Sequence, residues 1–297
     1  MIGHTLSDVN ISGVVKRNIR GPGGSRIILL NVSGSEHDMN NKAGVATVAT
    51  PNVRIVIVKR VFDALKDVQK LLLKGSSIYI QGRAYGKKVL YQGRPFYTAE
   101  IRAETVRPGS VRDNNFSIGG RLVSLDPRSS GAMMAFIRAS KLKETEINTD
   151  GNMIQFNSPI VPIKINRQEI ARHVAKIEDI DVQSSLFAWQ KHYLETEESA
   201  PIAEHFYITN EQLELFKAFK KDRKNPPFDL RKAFEHYLIN KYRIASIAQL
   251  KFMSFIHAEP NQDIFCKGYI TSTRRMMNED TYYSSELQSN RVEKVKY

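Results

Sequence analysis

The stretch KGSSIYIQGRAYGKKVLYQGRPFYTAEI, residues 74–101, decides the fold of this chain. After a Lys-Gly turn, residues 77–81 alternate in polarity, which places Ile78 and Ile80 on one face of a strand. A glycine-containing segment follows, and residues 96–101 alternate again. The stretch therefore predicts two long antiparallel strands joined as a hairpin.

The chain before this hairpin predicts three strands and a helix. Apolar or alternating segments at 8–15, 26–32 and 54–59 are typical of strands, and residues 62–73 have the apolar spacing of a helix. Three strands, a helix and two strands form the order of the five-stranded Greek-key barrel called the OB-fold. We therefore predict a mainly β protein that begins with an OB-fold.

The charge of the chain favours a polyanionic partner. The formal net charge is +13, and residues 1–112 hold 18 Lys and Arg against 7 Asp and Glu. Ribosomal and membrane-surface proteins share this signature, so charge alone does not select nucleic acid. The hydrophobic fraction of 41% suffices for packed cores, and the length favours two or three domains.

The hairpin and the third strand supply the candidate binding residues. Cations contact phosphates and flat rings stack on unpaired bases, so this mixture suits single-stranded nucleic acid. The alternatives are cross-strand packing for the aromatic residues and a solvated charged face for the cations. The candidates are Arg54, Lys59, Arg60, Arg83, Tyr85, Lys87, Lys88, Tyr91, Arg94 and Phe96.

Residues 8–106 resemble the bacterial-type single-stranded DNA-binding protein (SSB) family. The matching pieces are VNISG at 9–13, RIVIVK at 54–59, KGSSIYIQG at 74–82 and YTAEI at 97–101, in the family's order. The resemblance covers about a third of the chain. It implies an OB-fold that binds single-stranded DNA without catalysis, in tetramers of four barrels that some members build as dimers of two-barrel chains.

Two departures from the family bear on this expectation. The positions at which the family stacks bases correspond to Asn52, Val58 and Val89, none of which is aromatic. Binding should then depend more on phosphate contacts and therefore strongly on salt. The family's acidic C-terminal tail is also missing, because this chain ends in the basic segment RVEKVKY.

A weaker repeat follows the first barrel. Residues 115–123 resemble residues 10–15, segments 132–140 and 160–165 predict strands, and 168–177 predicts a helix. We place the closing hairpin of this second, diverged OB-fold at 181–189 and 203–209. The alternative is an unrelated α+β segment.

The chain thus divides into four predicted parts. Residues 1–112 are the nucleic-acid-binding OB-fold, and residues 113–210 are the second one. Residues 211–273 have helical patterns with a strand at 263–271, and residues 274–297 lack a repeating apolar face, so we expect a flexible tail.

Signatures of other classes of protein are missing from the sequence. There is no phosphate-binding loop, HExxH or G-x-S-x-G motif, and Cys266 is the only cysteine, so we expect no catalysis, cofactor or metal site. Carboxylates at Glu178, Asp179 and Asp181 suit a solvated loop better than a magnesium site. No apolar run has membrane-spanning length, so we expect a soluble protein of the cytoplasm or nucleoid, with an organellar matrix or a viral replication site as alternatives.

These observations favour a non-enzymatic protein that coats unpaired DNA during replication or recombination, with a homo-oligomer, a dimer of two-barrel chains, as its assembly. Two alternatives remain open. One is a structural RNA-binding subunit of a ribonucleoprotein, and the other is a docking subunit of a replication or polymerase assembly.

Overall fold

The structure is a computed structural model. It describes residues 6–32, 47–91, 94–109, 112–128, 130–139, 144–150, 153–174, 247–256, 262–277 and 280–295. These residues are mainly in β-strands, as predicted. The chain divides into two compact units: residues 1–120, 137–163 and 265–291 form the first, and residues 121–136, 164–264 and 292–297 form the second.

The strands and helices are numbered in chain order. The strands are β1 (Leu6–Arg20), β2 (Arg26–Asn31), β3 (Thr47–Thr50), β4 (Asn52–Ile57), β5 (Ser77–Tyr91), β6 (Arg94–Pro108), β7 (Asn114–Pro127), β8 (Met133–Arg138), β9 (Thr145–Asp150), β10 (Met153–Ser158), β11 (Ile160–Ile165), β12 (Asp263–Met277) and β13 (Asp280–Lys294). The helices are α1 (Lys59–Asp63), α2 (Val68–Leu71), α3 (Arg167–Val174) and α4 (Ile247–Ile256). The single helix expected over 62–73 is thus two short helices, between which Asp67 has a positive φ of 52°. None of the described helices is long and apolar enough to cross a membrane.

Five strands of the first unit pair in a closed ring. β1 pairs with β2, β2 with β4, and β5 with both β1 and β6, all antiparallel. β4 and β6 pair in parallel and close the ring. This is the strand order that the sequence predicted for an OB-fold.

Alternation along these strands builds the core of the ring. Ile28, Ile55, Ile78, Ile80 and Ile101 are fully buried. Their neighbours along each strand point to the opposite face, where Leu29, Val56, Tyr79 and Glu100 are buried as well. The buried face of the 74–101 stretch is therefore the one that the sequence predicted.

Five later strands pair in the same order. β7 pairs with β8, β8 with β11, β11 with β13, β13 with β12, and β12 with β7. α3 follows the third strand of this ring, as α1 follows the third strand of the first. The predicted elements of the repeat at 115–123, 132–140, 160–165 and 168–177 are present as β7, β8, β11 and α3.

The expected hairpin of the second ring is in the wrong place. The predicted segments 181–189 and 203–209 lie outside the described residues, and the hairpin in the ring is β12–β13. The predicted helical C-terminal region is not supported as a whole: within it the structure describes one helix, α4, and the strand expected at 263–271 is present in β12, which β13 follows. Residues 211–246 lie outside the described residues, so the other predicted domain boundaries stay predictions.

The flexible tail expected from residue 274 is wrong for β13, and its serines explain why. Ser285, Leu287 and Ser289 are buried and alternate with outward residues, so the strand period is present without an apolar face. The Ser285 hydroxyl donates to the carbonyl of Arg54, and the Ser289 hydroxyl lies within hydrogen-bond distance of the carbonyls of Arg291, at 2.8 Å, and Lys267, at 3.2 Å. Serines satisfied in this way can be buried at little cost, and an apolar periodicity search does not find them.

Equivalent positions in the two rings can be assigned from close backbone approaches. A Cβ atom at Gly13 or Gly120 would lie 2.2 or 2.3 Å from the carbonyl oxygen of the residue eighteen positions later. A Cβ atom at Gly82 or Gly268 would lie 2.1 or 2.0 Å from the carbonyl oxygen twenty positions later. Only glycine fits such contacts, so Gly13 corresponds to Gly120 and Gly82 to Gly268.

The strands that precede β4 and β11 extend this correspondence. Ser158 of β10 pairs with Gly86 of β5, and Thr50 of β3 pairs with Ser272 of β12. Counted from Gly82 and Gly268, Gly86 and Ser272 are equivalent. Residues 47–57 and 155–165 are therefore equivalent segments.

In the second unit, the buried carboxylate of Glu169 binds the backbone of β13. Glu169 of α3 accepts a hydrogen bond from the amide of Val292, at 3.0 Å, and pairs with Arg172 and His173. The His173 ring meets Phe252 of α4 edge to face. These contacts connect α3 to both α4 and β13.

Candidate nucleic-acid interface

The outward face of the β5–β6 hairpin collects most of the described candidate residues. Residues that pair across antiparallel strands share a face, and Arg83, Tyr85, Lys87 and Val89 pair with Arg102, Glu100, Thr98 and Phe96 in turn. In the parallel pairing, Val56 of β4 lies beside Arg102, so Arg54 shares this outward face. The register therefore brings Arg54, Arg83, Tyr85, Lys87 and Phe96 to one surface.

A buried carboxylate organises the centre of this surface. Glu100 is 5% exposed, and Arg54, Lys87 and Arg102 each place a nitrogen within 3.3 Å of its carboxylate oxygens. Arg102 also donates from Nη2 to the Asn157 side-chain oxygen, at 2.7 Å. We call Glu100, Arg54, Lys87, Arg102 and Asn157 the Glu100 cluster.

The charges of the Glu100 cluster do not cancel. Burial by itself raises the pKa of Glu100, but attraction and hydrogen bonds from Lys87 and Arg102 outweigh burial and hold the pKa below its ordinary value. Glu100 is thus ionised near neutral pH and faces three cations. The cluster keeps two positive charges in excess.

Two candidate cations outside the cluster pair with exposed or half-buried carboxylates. Arg83 pairs with Glu104 at 2.8 Å, and both side chains are about half exposed. Lys59 pairs with Asp63 one helical turn later. Arg60 is exposed on the same helix. Exposed pairs of this kind contribute little to stability, so they can exchange partners readily.

Lys88 lies on the opposite face from Lys87, because neighbouring residues of a strand point apart. Its ammonium group lies 2.7 Å from Glu144 and 5.5 Å from the centre of the Phe156 ring. Burial lowers the pKa of Lys88, but the hydrogen bond to Glu144 and the electrostatic attraction of Tyr97 and Glu144 together outweigh burial, so the pKa is raised. The sequence pair Lys87-Lys88 is therefore not one patch.

The aromatic candidates differ in their surroundings. The Arg102 guanidinium lies 4.6 Å from the centre of the Tyr85 ring, a cation–π distance. Phe96 is 52% exposed, which is unusual for so large an apolar side chain. The backbones of Tyr91 and Arg94 pair across the two strands at the end of the hairpin.

The β5 edge of the hairpin is paired with the chain's own backbone. β10 pairs antiparallel with residues 86–91 of β5, and β9 pairs with β10. The outward face of the hairpin, and not its edge, is what remains for a ligand.

Sequence reasoning missed three members of the Glu100 cluster. Glu100 and Arg102 continue the alternation that begins at Phe96, so the strand period alone placed them on the face of the candidate cations. Asn157 arrives on β10, a strand that the sequence analysis did not predict.

The described residues offer little for other chemistry. Among them, no group of three or more His, Cys, Asp or Glu side chains is placed to hold a metal ion. A cavity of about 600 Å³ is lined by Asn18, Arg26, Phe62 and nearby leucines, and the Arg26 guanidinium lies 4.7 Å from the centre of the Phe62 ring. The lining also includes the Asp63 carboxylate, which pairs with Lys59.

Comparisons with known proteins find similarity in structure alone. No protein-family model matches the chain, and no curated protein matches its sequence. The solved structures that resemble it include the wild-type single-stranded DNA-binding protein of Thermus aquaticus, at a TM-score of 0.40, and a deletion mutant of that protein, at 0.41. Both are 13% identical to this chain and cover 98% of it, while the chain covers 94% and 95% of theirs. Similarity at this level does not assign the chain to a family.

Proposed function

We propose that this chain binds single-stranded DNA on the outward face of the β5–β6 hairpin and coats unpaired strands during replication or recombination. The observation that carries the proposal is the Glu100 cluster with its excess of two positive charges, on a ring with OB-fold strand order. The overall net charge of +13 supports a polyanionic ligand.

The chemistry of this face suits a flexible strand better than a duplex. Phe96 and Tyr85 offer flat surfaces beside the cations, and stacking on such rings is worth roughly 1–3 kcal/mol per base. Paired bases inside a duplex cannot reach them. Contacts by Arg54, Arg83 and Lys87 with phosphates would supply the remaining affinity and make it strongly dependent on salt.

The other candidate residues should contribute to DNA binding to different extents. Lys87 should matter more than Lys88, because Lys88 lies on the opposite face and pairs with Glu144. Lys59 and Arg60 on α1 would extend the path of the strand. Tyr91 and Arg94 would contact it at the hairpin end.

The test is a fluorescence anisotropy titration of labelled oligothymidylate, duplex DNA and structured RNA at two salt concentrations. We expect oligothymidylate to bind tightest and to weaken steeply with salt. Lys87→Ala and Phe96→Ala should each weaken binding, whereas Lys88→Ala should change it less. Equal binding of duplex and single strand, or a preference for structured RNA, would contradict the proposal, and the latter would favour the RNA-binding alternative.

The assembly is part of the same proposal. A homodimer of two-ring chains would bring four rings together along a strand. Light scattering of the purified chain, with and without oligothymidylate, measures its mass directly. A monomer under both conditions would remove the assembly from the proposal without affecting binding.

A further inference from the structure

The two rings differ in the residues that surround the central glutamate of their equivalent outward faces. Counted from Gly82 and Gly268, the positions of Arg83, Tyr85 and Lys87 correspond to Tyr269, Thr271 and Thr273. On the following strand, the positions of Glu100, Arg102 and Glu104 correspond to Glu286, Gln288 and Asn290, and the paired segments place Pro162 at the position of Arg54. All four cations are thus neutral residues in the second ring, while the central glutamate is present in both.

In both rings the residue two positions after the glutamate donates a hydrogen bond to its carboxylate, but the donor is a neutral amide around Glu286 and a charged guanidinium around Glu100. Gln288 donates from Nε2 to the Glu286 carboxylate and to the Thr271 hydroxyl, each at 2.9 Å. The Tyr269 hydroxyl donates to the Gln288 side-chain oxygen at 3.1 Å. In the first ring, Arg102 donates to Glu100 in the place of Gln288. Over the seven positions compared, the charges sum to −1 in the second ring and to +2 in the first, while Lys164 and Arg275 of the second ring stand at the positions of Val56 and Val89.

Glu100 holds its three cations in position without neutralising them. Arg54, Lys87 and Arg102 keep 28%, 23% and 26% of their side chains exposed, so their unused N–H groups can reach a ligand at the surface. A guanidinium has five N–H donors and an ammonium three, more than one carboxylate and Asn157 accept. Cations fixed in advance lose less side-chain entropy when they bind a phosphate.

We propose that the Glu100 cluster is a phosphate-binding site in which Glu100 is the positioning residue, and that the equivalent face around Glu286 is not such a site. This inference rests on the proposed function, because the phosphates would be those of single-stranded DNA. The strand then follows the outward face of the first ring only, although the two rings have the same strand order.

The test compares Glu100→Gln with Glu286→Gln, the same change at equivalent positions. Each variant loses one negative charge, so its net charge rises by one. If overall attraction alone set the affinity, both variants would bind oligothymidylate more tightly. Loss of positioning predicts roughly three- to tenfold weaker binding by E100Q, and binding by E286Q equal to the wild type or tighter. Binding by E100Q as tight as the wild type, or equal weakening in both variants, overturns the inference.

A second variant keeps the test decisive if E100Q folds poorly. The double variant Lys87→Thr and Arg102→Gln introduces the residues that the second ring carries at these positions, so this geometry tolerates them. We expect weaker binding and a salt slope that is smaller by about 1.4, because each lost phosphate contact on a single strand removes about 0.7. An unchanged slope argues against the site.

A small polyanion separates failure of the site from failure of the function. We expect tripolyphosphate to raise the melting temperature of the wild type and E286Q, but not of the K87T/R102Q variant. If oligothymidylate does not bind and this difference persists, the proposed function is wrong and the site stands. If oligothymidylate binds and both variants match the wild type, the function stands and the site is wrong. If neither ligand binds, both are wrong.

Discussion

Replacing Glu169 by alanine tests whether the C-terminal strand is part of the folded structure. The carboxylate is 3% exposed and accepts the amide hydrogen of Val292, a residue that is 1% exposed. Leaving that buried donor without a partner costs about 1–3 kcal/mol. Arg172 is 62% exposed, so loss of its ion pair adds little. With the lost packing, we expect Glu169→Ala to reduce the free energy of unfolding by about 2–4 kcal/mol.

Urea denaturation followed by circular dichroism measures this change. Glu169→Gln retains an oxygen acceptor and should cost less than the alanine variant. The matched control is Glu104→Ala, which removes an exposed pair with Arg83 and should cost at most about 1 kcal/mol. Hydrogen exchange at the Val292 amide gives a local measurement. A loss below about 1 kcal/mol in Glu169→Ala, with unchanged protection of Val292, would refute the reasoning.

Three further predictions follow from the fold and the Glu100 cluster. Truncation after residue 279 removes β13 and should unfold the second ring, which would appear as a loss of cooperativity in thermal melts. An unchanged melt would support the flexible tail instead. Gly82→Ala places a Cβ against the Arg102 carbonyl and should cost about 1–3 kcal/mol in urea denaturation. Because Lys87 and Arg102 lower the pKa of Glu100, its contribution to stability is present above about pH 4.3 and lost as pH falls through the folded value. Wild type should therefore lose stability more steeply than E100Q below about pH 4, and parallel pH profiles would contradict this.

The candidate site shows where residue-by-residue inference from a sequence stops. Strand period correctly grouped Ile78 with Ile80, and the same period placed Glu100 and Arg102 on the face of Lys87. It also separates Lys87 from Lys88, although the two are neighbours in sequence and are both binding candidates. Which carboxylate each cation meets depends on register and on strands such as β10 that arrive from elsewhere in the chain.

The sequence alone determined the order of the first ring and the excess of positive charge, because alternation and composition are local properties. Only the tertiary structure decided which hairpin pairs into the second ring. Residues 175–262 separate α3 from β12, yet the entropy cost of closing a loop rises only slowly with its length. A strand can therefore pair with partners that are distant in sequence. The serines of β13 can be buried because their hydroxyls are hydrogen-bonded, although the strand has no apolar pattern. Partner choice among distant strands depends on backbone hydrogen bonds and packing that only the folded chain contains.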